Sequence, residues 1–148
     1  KSYPVRSYYT NLIMQHEGFE KTGEMRFTPP VQTVYAAKRA LAEYFAEGAQ
    51  KKWARHTRVI DAIHEGLARL GLREIIPREM QAGLVVAVAY PSEDFDFARV
   101  HDYCYARGFT IYPGKMQRAH TFRLCALGAI DTPDIIAFFR VFEEALKE

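Results

Sequence analysis

At 148 residues and 49% apolar side chains, the chain is long enough for one ordinary domain that buries roughly 70% of its unfolded surface in a true core. Its 20 Lys and Arg against 18 Asp and Glu leave no field that would recruit a polyanion, so no nucleic-acid partner is expected. No apolar run approaches the ~20 residues of a membrane span, and Lys1 opens a polar stretch rather than a secretory signal. A soluble cytoplasmic protein with no membrane partner is expected, and the missing initiator methionine points to Lys1 as a cut boundary.

In chain order, residues 1 to 30 mix aromatics, charges and prolines without sustained helical or strand periodicity. Leu12, Ile13 and Met14 form one apolar run and Gly18 and Gly23 punctuate the rest, the pattern of an irregular segment that wraps another domain or subunit. From Val31 the steps become three and four, through Val34, Tyr35, Lys38, Leu41, Ala42 and Phe45, and Gly48 ends the run. This predicts an amphipathic helix entered through Pro29 and Pro30. A second helix is predicted from about Gln50 to Leu70, with Trp53, Ile60, Ile63, His64, Leu67 and Leu70 near one side and Gly71 at the stop.

Past Gly71 the period falls to two or to solid apolar runs. LREII (72 to 76) and GLVVAVAY (83 to 90) read as strands, the latter ended by Pro91. Helical spacing returns through Phe97, Val100, His101 and Cys104 and stops at Gly108, after which FTIYPG and HTFRLCALG supply two more strands. The tail from Thr132 is the clearest helix, with Thr132 as its cap, Pro133 at its first helical position, and Ile136, Phe139, Val141, Phe142 and Leu146 toward one face. The order α-α-β-β-α-β-β-α predicts an α+β fold. It is a two-layer small domain in which a four-element sheet carries its helices mainly on one face. Val85, Ala87, Val88, Ile111, Leu124, Phe138 and Phe142 are the expected core. Residues 1–48 read as a connecting arm and helix and 49–148 as the compact domain. Cys104 and Cys125 sit in apolar stretches without ligand spacing, as small buried hydrophobes rather than a disulfide.

Three stretches hold residues that packing alone does not require. In MRFTPP (25 to 30), two prolines hold Thr28 extended beside a helix entrance, where unpaired amides favour anions; a simple capping threonine is the alternative. In IYPGK (111 to 115), Pro113 and Gly114 carry Lys115 to the tip of a turn, where a merely solvated lysine is the alternative. In FRLCALG (122 to 128), Arg123 points to the face opposite Phe122 and Leu124. If that strand is central the arginine needs an anion, because burying an unpaired charge costs several kcal/mol; a carboxylate or phosphonate meets the need through two parallel hydrogen bonds. At a sheet edge it would simply face water. His16, His56, His64, His101 and His120 show no ligand spacing, so no metal site is expected, and neither a nucleotide loop nor a nucleophile with a base is evident.

Taken in order, RSYYTNLI, GEMRFTPPVQTVYAAKRAL, GFTIYPGK and TFRLCALG resemble the carboxy-terminal part of the 2-aminoethylphosphonate:pyruvate transaminases. These belong to class V of the fold type I aminotransferases, which depend on pyridoxal 5'-phosphate. The resemblance implies that 1–48 is the connecting arm and interdomain helix and 49–148 the carboxy-terminal small domain of a homodimeric enzyme. It implies that Thr28 binds the phosphate of the partner subunit's cofactor and that Arg123 binds the acidic group of the substrate. No catalytic residue is expected in this chain, because the lysine that holds the cofactor belongs to the large domain upstream; Lys115 is not its substitute. The implied reaction moves an amino group from 2-aminoethylphosphonate to pyruvate, with the chain inactive by itself. The alternatives are another class V aminotransferase, such as an alanine:glyoxylate or serine:pyruvate enzyme, and a non-catalytic binding module with the small-domain fold.

Overall fold

The computed structural model describes residues 4, 6–114, 116 and 119–148, so Lys115 lies outside the described residues. The chain divides into two compact units, Lys1–Ala46 and Glu47–Glu148. Among the described residues there are five α-helices and one three-stranded antiparallel sheet, which is the α+β class expected. No helix among them is long and apolar enough to cross a membrane.

The first unit departs from the irregular segment expected over residues 1 to 30. Helix α1 runs Leu12–Thr22, closed at one end by the Asn11 side chain accepting from the Met14 amide and at the other by Gly23 donating to the Phe19 carbonyl. None of its residues is buried. Its ends are defined by capping chemistry rather than by an apolar stripe, and hydrophobic periodicity therefore had nothing to register. Helix α2, Val31–Glu47, begins just after Pro29 and Pro30, as the spacing predicts, and is followed by Gly48.

The second unit begins with α3, Ala49–Arg69, and continues through a short 3-10 turn (Arg78–Met80), β1 (Val85–Ala89), α4 (Phe97–Tyr105), β2 (Tyr112–Pro113), β3 (Thr121–Cys125) and α5 (Thr132–Lys147). The strand order is β1-β3-β2, which makes β3 the central strand. Val86 pairs with Leu124 and Val88 with Phe122, so these four apolar side chains share one face. Helices α3, α4 and α5 bury that face, through Ile63 and Leu67, Val100 and Cys104, and Phe138 and Phe142 respectively. Three phenylalanines of α5 pack together with centroids 5.1 to 6.4 Å apart, and Phe142 reaches the sheet at Phe122, 5.6 Å away.

Several expectations change in detail. LREII does not form a full strand; it contributes one bridge, Glu74 to Val88, with Ile75 and Ala89 amides bonded to the Ala87 and Arg73 carbonyls. The carboxylate of Glu74 is held instead by buried His64 at 2.7 Å and by Gln81 at 2.6 Å, and Pro77 ends the extended run. Val88, Ile111, Leu124, Phe138 and Phe142 are core residues, but Val86 replaces Val85 and Ala87. Register with Phe122 and Leu124 selects the even positions, which an unbroken apolar run does not distinguish. Trp53 and Ile136 are exposed, while Val59 and Ile135 are buried in their helices. The cap of α5 is Asp131, which accepts from the Thr132 amide and forms a capping box with Asp134; Thr132 is the first helical residue. Cys104 and Cys125 are free thiols, and burial pushes both thiol pKa values up.

Candidate functional site

Arg123 occupies the middle of β3, paired with Ala87 on one side and Tyr112 on the other. Strand alternation sends Phe122 and Leu124 into the core and leaves Arg123 on the opposite face, where its small neighbour Ala87 gives the long side chain room. Its Nε is buried without a hydrogen-bond partner, and among the described residues no carboxylate forms an ion pair with it. A buried guanidinium N–H left unpaired is costly and is seldom tolerated without a reason. The guanidinium charge also acts on its neighbour two residues on, partly offsetting the upward push that burial gives the Cys125 thiol.

The arginine borders a cavity of about 350 Å³ whose walls include Phe109, Tyr112, Leu127, Ile130 and Phe138. The wall is mostly apolar, with Arg123 and Asp134 as its charged side chains, and an apolar wall screens a charge less than water does. Just after β2, Gly114 lies tightly against β3: its amide donates to the Thr121 carbonyl at 2.7 Å, and a Cβ on Gly114 would lie 1.7 Å from Thr121 Oγ1. Only glycine fits there. The Thr121 hydroxyl is itself buried and unpartnered.

Thr28 belongs to the first unit and is exposed, three residues before α2. Its stretch is fixed by the residues around it rather than by a core. Phe27 packs against Tyr8 and Tyr9, with centroids 5.7 and 4.7 Å apart. The Arg26 guanidinium lies 5.0 Å from the Tyr8 ring and 5.1 Å from the Phe27 ring, while its amide donates to Gln15 Oε1. Residues 24 to 29 line a shallow open depression. A hydroxyl and a proline-stiffened turn at a helix entrance are a chemically suitable pair for a phosphate oxygen.

Over 148 aligned residues the chain is 36% identical to a 2-aminoethylphosphonate–pyruvate transaminase of Pseudomonas putida, with 97% of this chain and 40% of that relative covered. A protein of the same name from Cupriavidus necator is 35% identical over 140 residues, which is 93% of this chain and 37% of the relative. This chain is homologous to the carboxy-terminal portion of the 2-aminoethylphosphonate–pyruvate transaminases. It spans about two fifths of the length of these transaminases. Among solved structures, an aspartate aminotransferase of subgroup IV from Thermus thermophilus superposes with a TM-score of 0.78 at 26% identity, over 97% of this chain and 40% of that one. An alanine–glyoxylate aminotransferase from Nostoc sp. gives 0.79 at 20% identity, over 96% of this chain and 39% of that one, a likeness of fold. No family model matches the sequence.

One feature of this transaminase homologue escaped sequence reading. Arg55 of α3 donates from Nε and Nη2 to the two oxygens of Glu47, at 2.8 and 3.1 Å, and from Nη1 to the carbonyls of Gly128 and Ile130, at 3.0 and 3.1 Å. The partners on the loop after β3 lie 73 and 75 residues away in sequence. No local spacing could have revealed them.

Proposed function

We propose that the whole protein is a pyridoxal 5'-phosphate-dependent aminotransferase that moves the amino group of 2-aminoethylphosphonate to pyruvate, giving phosphonoacetaldehyde and alanine. The observation that carries the reading is Arg123, whose buried Nε has no partner on the central strand of a chain similar to transaminases of that name. A planar guanidinium donates two parallel hydrogen bonds to a carboxylate or phosphonate, so one residue serves amino donor and amino acceptor substrates alike. It fixes the acidic end and thereby the reacting end of a short substrate.

The cofactor, when bound, supplies the electron sink for breaking bonds at the amine-bearing carbon. Thr28 is read as a donor to its phosphate, in a homodimer where that phosphate belongs to the partner subunit's cofactor. The residues at the α2 entrance fit that role, since Thr28 is exposed at a helix entrance, where anions are favoured. The lysine that holds the cofactor is assigned to the portion of the protein represented in the relatives beyond this match, and the 148-residue chain alone is read as inactive. A cytoplasmic location fits a small-molecule enzyme of this kind.

The test is Arg123→Lys in the full-length enzyme. A point charge cannot reproduce the two-bond grip, so kcat/KM toward both acids should fall by the equivalent of roughly 2 to 4 kcal/mol. Cofactor content should stay unchanged. Wild-type efficiency in that variant, or rapid turnover of alanine with glyoxylate and none of the phosphonate, would overturn the assignment.

A further inference from the structure

We propose that Arg55, oriented by Glu47, is a positioning residue for substrate binding. On this view it holds the loop after β3 as the wall of the Arg123 cavity; the inference rests on the reading of Arg123 given above. Leu127 and Ile130 form part of that wall, and they belong to the five-residue connection, Ala126 to Ile130, that leaves β3 and approaches the Asp131 cap of α5. A loop so short still has to stay in place against the open side of a cavity. Apolar packing holds the two ends of the connection, where Ala126 is buried in the core and Ile130 lies against it, while Leu127 between them is exposed.

One guanidinium fastens the stretch between those ends. Its side chain is 16% exposed, and four of its hydrogen bonds are accounted for, two holding the arginine and two holding the loop. Glu47 fixes the plane of the guanidinium by gripping one edge, which aims Nη1 at the carbonyls on either side of Ala129. Lys52 adds a weaker contact to Glu47 at 3.9 Å. Three residues along the same helix, Arg58 reaches Asp131 at 3.1 Å, so the connection is held at its middle by Arg55 and at its end by Arg58. Mutual hydrogen bonding lowers the Glu47 pKa and raises that of Arg55, so both remain charged through the neutral range.

Geometry separates the roles of the two arginines near the cavity. Arg123 offers a free buried N–H to a ligand, whereas Arg55 has its donors committed to the protein. Arg55 therefore acts on the substrate only through the wall. A wall that touches substrate and transition state alike contributes uniform binding, and loosening it raises KM while leaving kcat in place.

The experiment uses the full-length holoenzyme, with Arg55→Met, Arg55→Lys, Glu47→Gln and Arg123→Lys assayed against 2-aminoethylphosphonate and pyruvate. Arg55→Met keeps the apolar stem and removes all four bonds. Its KM should rise about tenfold with kcat within about threefold, as expected for the loss of one to two hydrogen bonds' worth of ordering. Glu47→Gln, nearly isosteric, should raise KM by about threefold, and Arg55→Lys should recover only part of the loss, because an ammonium cannot span both carbonyls and both carboxylate oxygens. Unchanged KM in both Arg55→Met and Glu47→Gln, beside an Arg123→Lys variant that is impaired, overturns the inference and leaves the Arg123 assignment standing. So does a loss of cofactor content and melting temperature that accompanies equal falls in kcat and kcat/KM, which is what a merely structural role would produce. An unimpaired Arg123→Lys defeats the Arg123 assignment first, and the inference with it. If Arg55→Met does not fold, the KM of Glu47→Gln decides.

Discussion

Gly66 lies inside α3 against α5, and replacing it with alanine sets two known effects against each other. Alanine is the better helix former by about 1 kcal/mol, so propensity alone predicts a more stable protein. Packing predicts the reverse: a Cβ on Gly66 would sit 2.2, 2.3 and 2.5 Å from three ring atoms of Phe139. Ordinary carbon contact is near 3.5 Å, so the ring would have to retreat by roughly 3.5 minus 2.2, about 1.3 Å. Phe139 is 3% exposed and abuts Phe138 and Phe142, at 5.1 and 6.4 Å, so the retreat would disturb all three rings. Overpacking of this kind costs about 1 to 3 kcal/mol, and the walled-in ring places Gly66→Ala at the upper end. Subtracting the propensity gain leaves a net loss of about 2 kcal/mol. Urea unfolding would read this as a lower midpoint at unchanged slope. Phe139→Leu should relieve the clash, so the double variant should lose less than the sum of the two single losses. A Gly66→Ala variant as stable as the parent, or more so, would refute the packing argument.

Phe142 is fully buried where α5 meets the sheet, and Phe142→Ala should cost about 3 to 5 kcal/mol in the same assay. Asp131→Ala removes both the capping box of α5 and the contact to Arg58, and should cost about 0.5 to 2 kcal/mol, with Asn recovering most of the cap. Arg69 at 2.6 Å and Lys147 at 2.9 Å hold the Glu143 carboxyl down at about 2. Because its folded pKa lies below the ordinary 4.5, the stability it adds is present above that value and is lost as pH falls toward about 2. The stability gap between parent and Glu143→Gln, measured across a pH series, should therefore be full near neutrality and close in acid; a constant gap would contradict it. Thr28→Ala in the full-length enzyme should weaken cofactor retention by about 1.5 to 3 kcal/mol, read by equilibrium dialysis.

Sequence alone determined the elements whose burial imposes a period. Helices α2, α3, α4 and α5 follow from apolar steps of three and four, and β1 and β3 from their apolar runs. The FTPP, IYPGK and FR stretches carried the resemblance to the transaminases, and the chain is 35 to 36% identical to proteins of that name. Helix α1 was not legible, since it buries nothing and carries no stripe. The phase of VVAVA was not legible either, as every position is apolar, and only pairing with Phe122 and Leu124 turned Val86 and Val88 inward.

The site divides the same way. The type and alternation of Arg123 were visible, but whether it needs an anion depended on β3 being central, and strand order is a property of pairings between distant segments. Arg55 looked like any helical arginine until the fold brought it to carbonyls 73 and 75 residues away. Periodicity records which side of a local element avoids water; it carries no information about which distant element arrives on that side. Register, strand order and side-chain clamps are settled only when buried faces meet, and they are therefore what tertiary structure decided here.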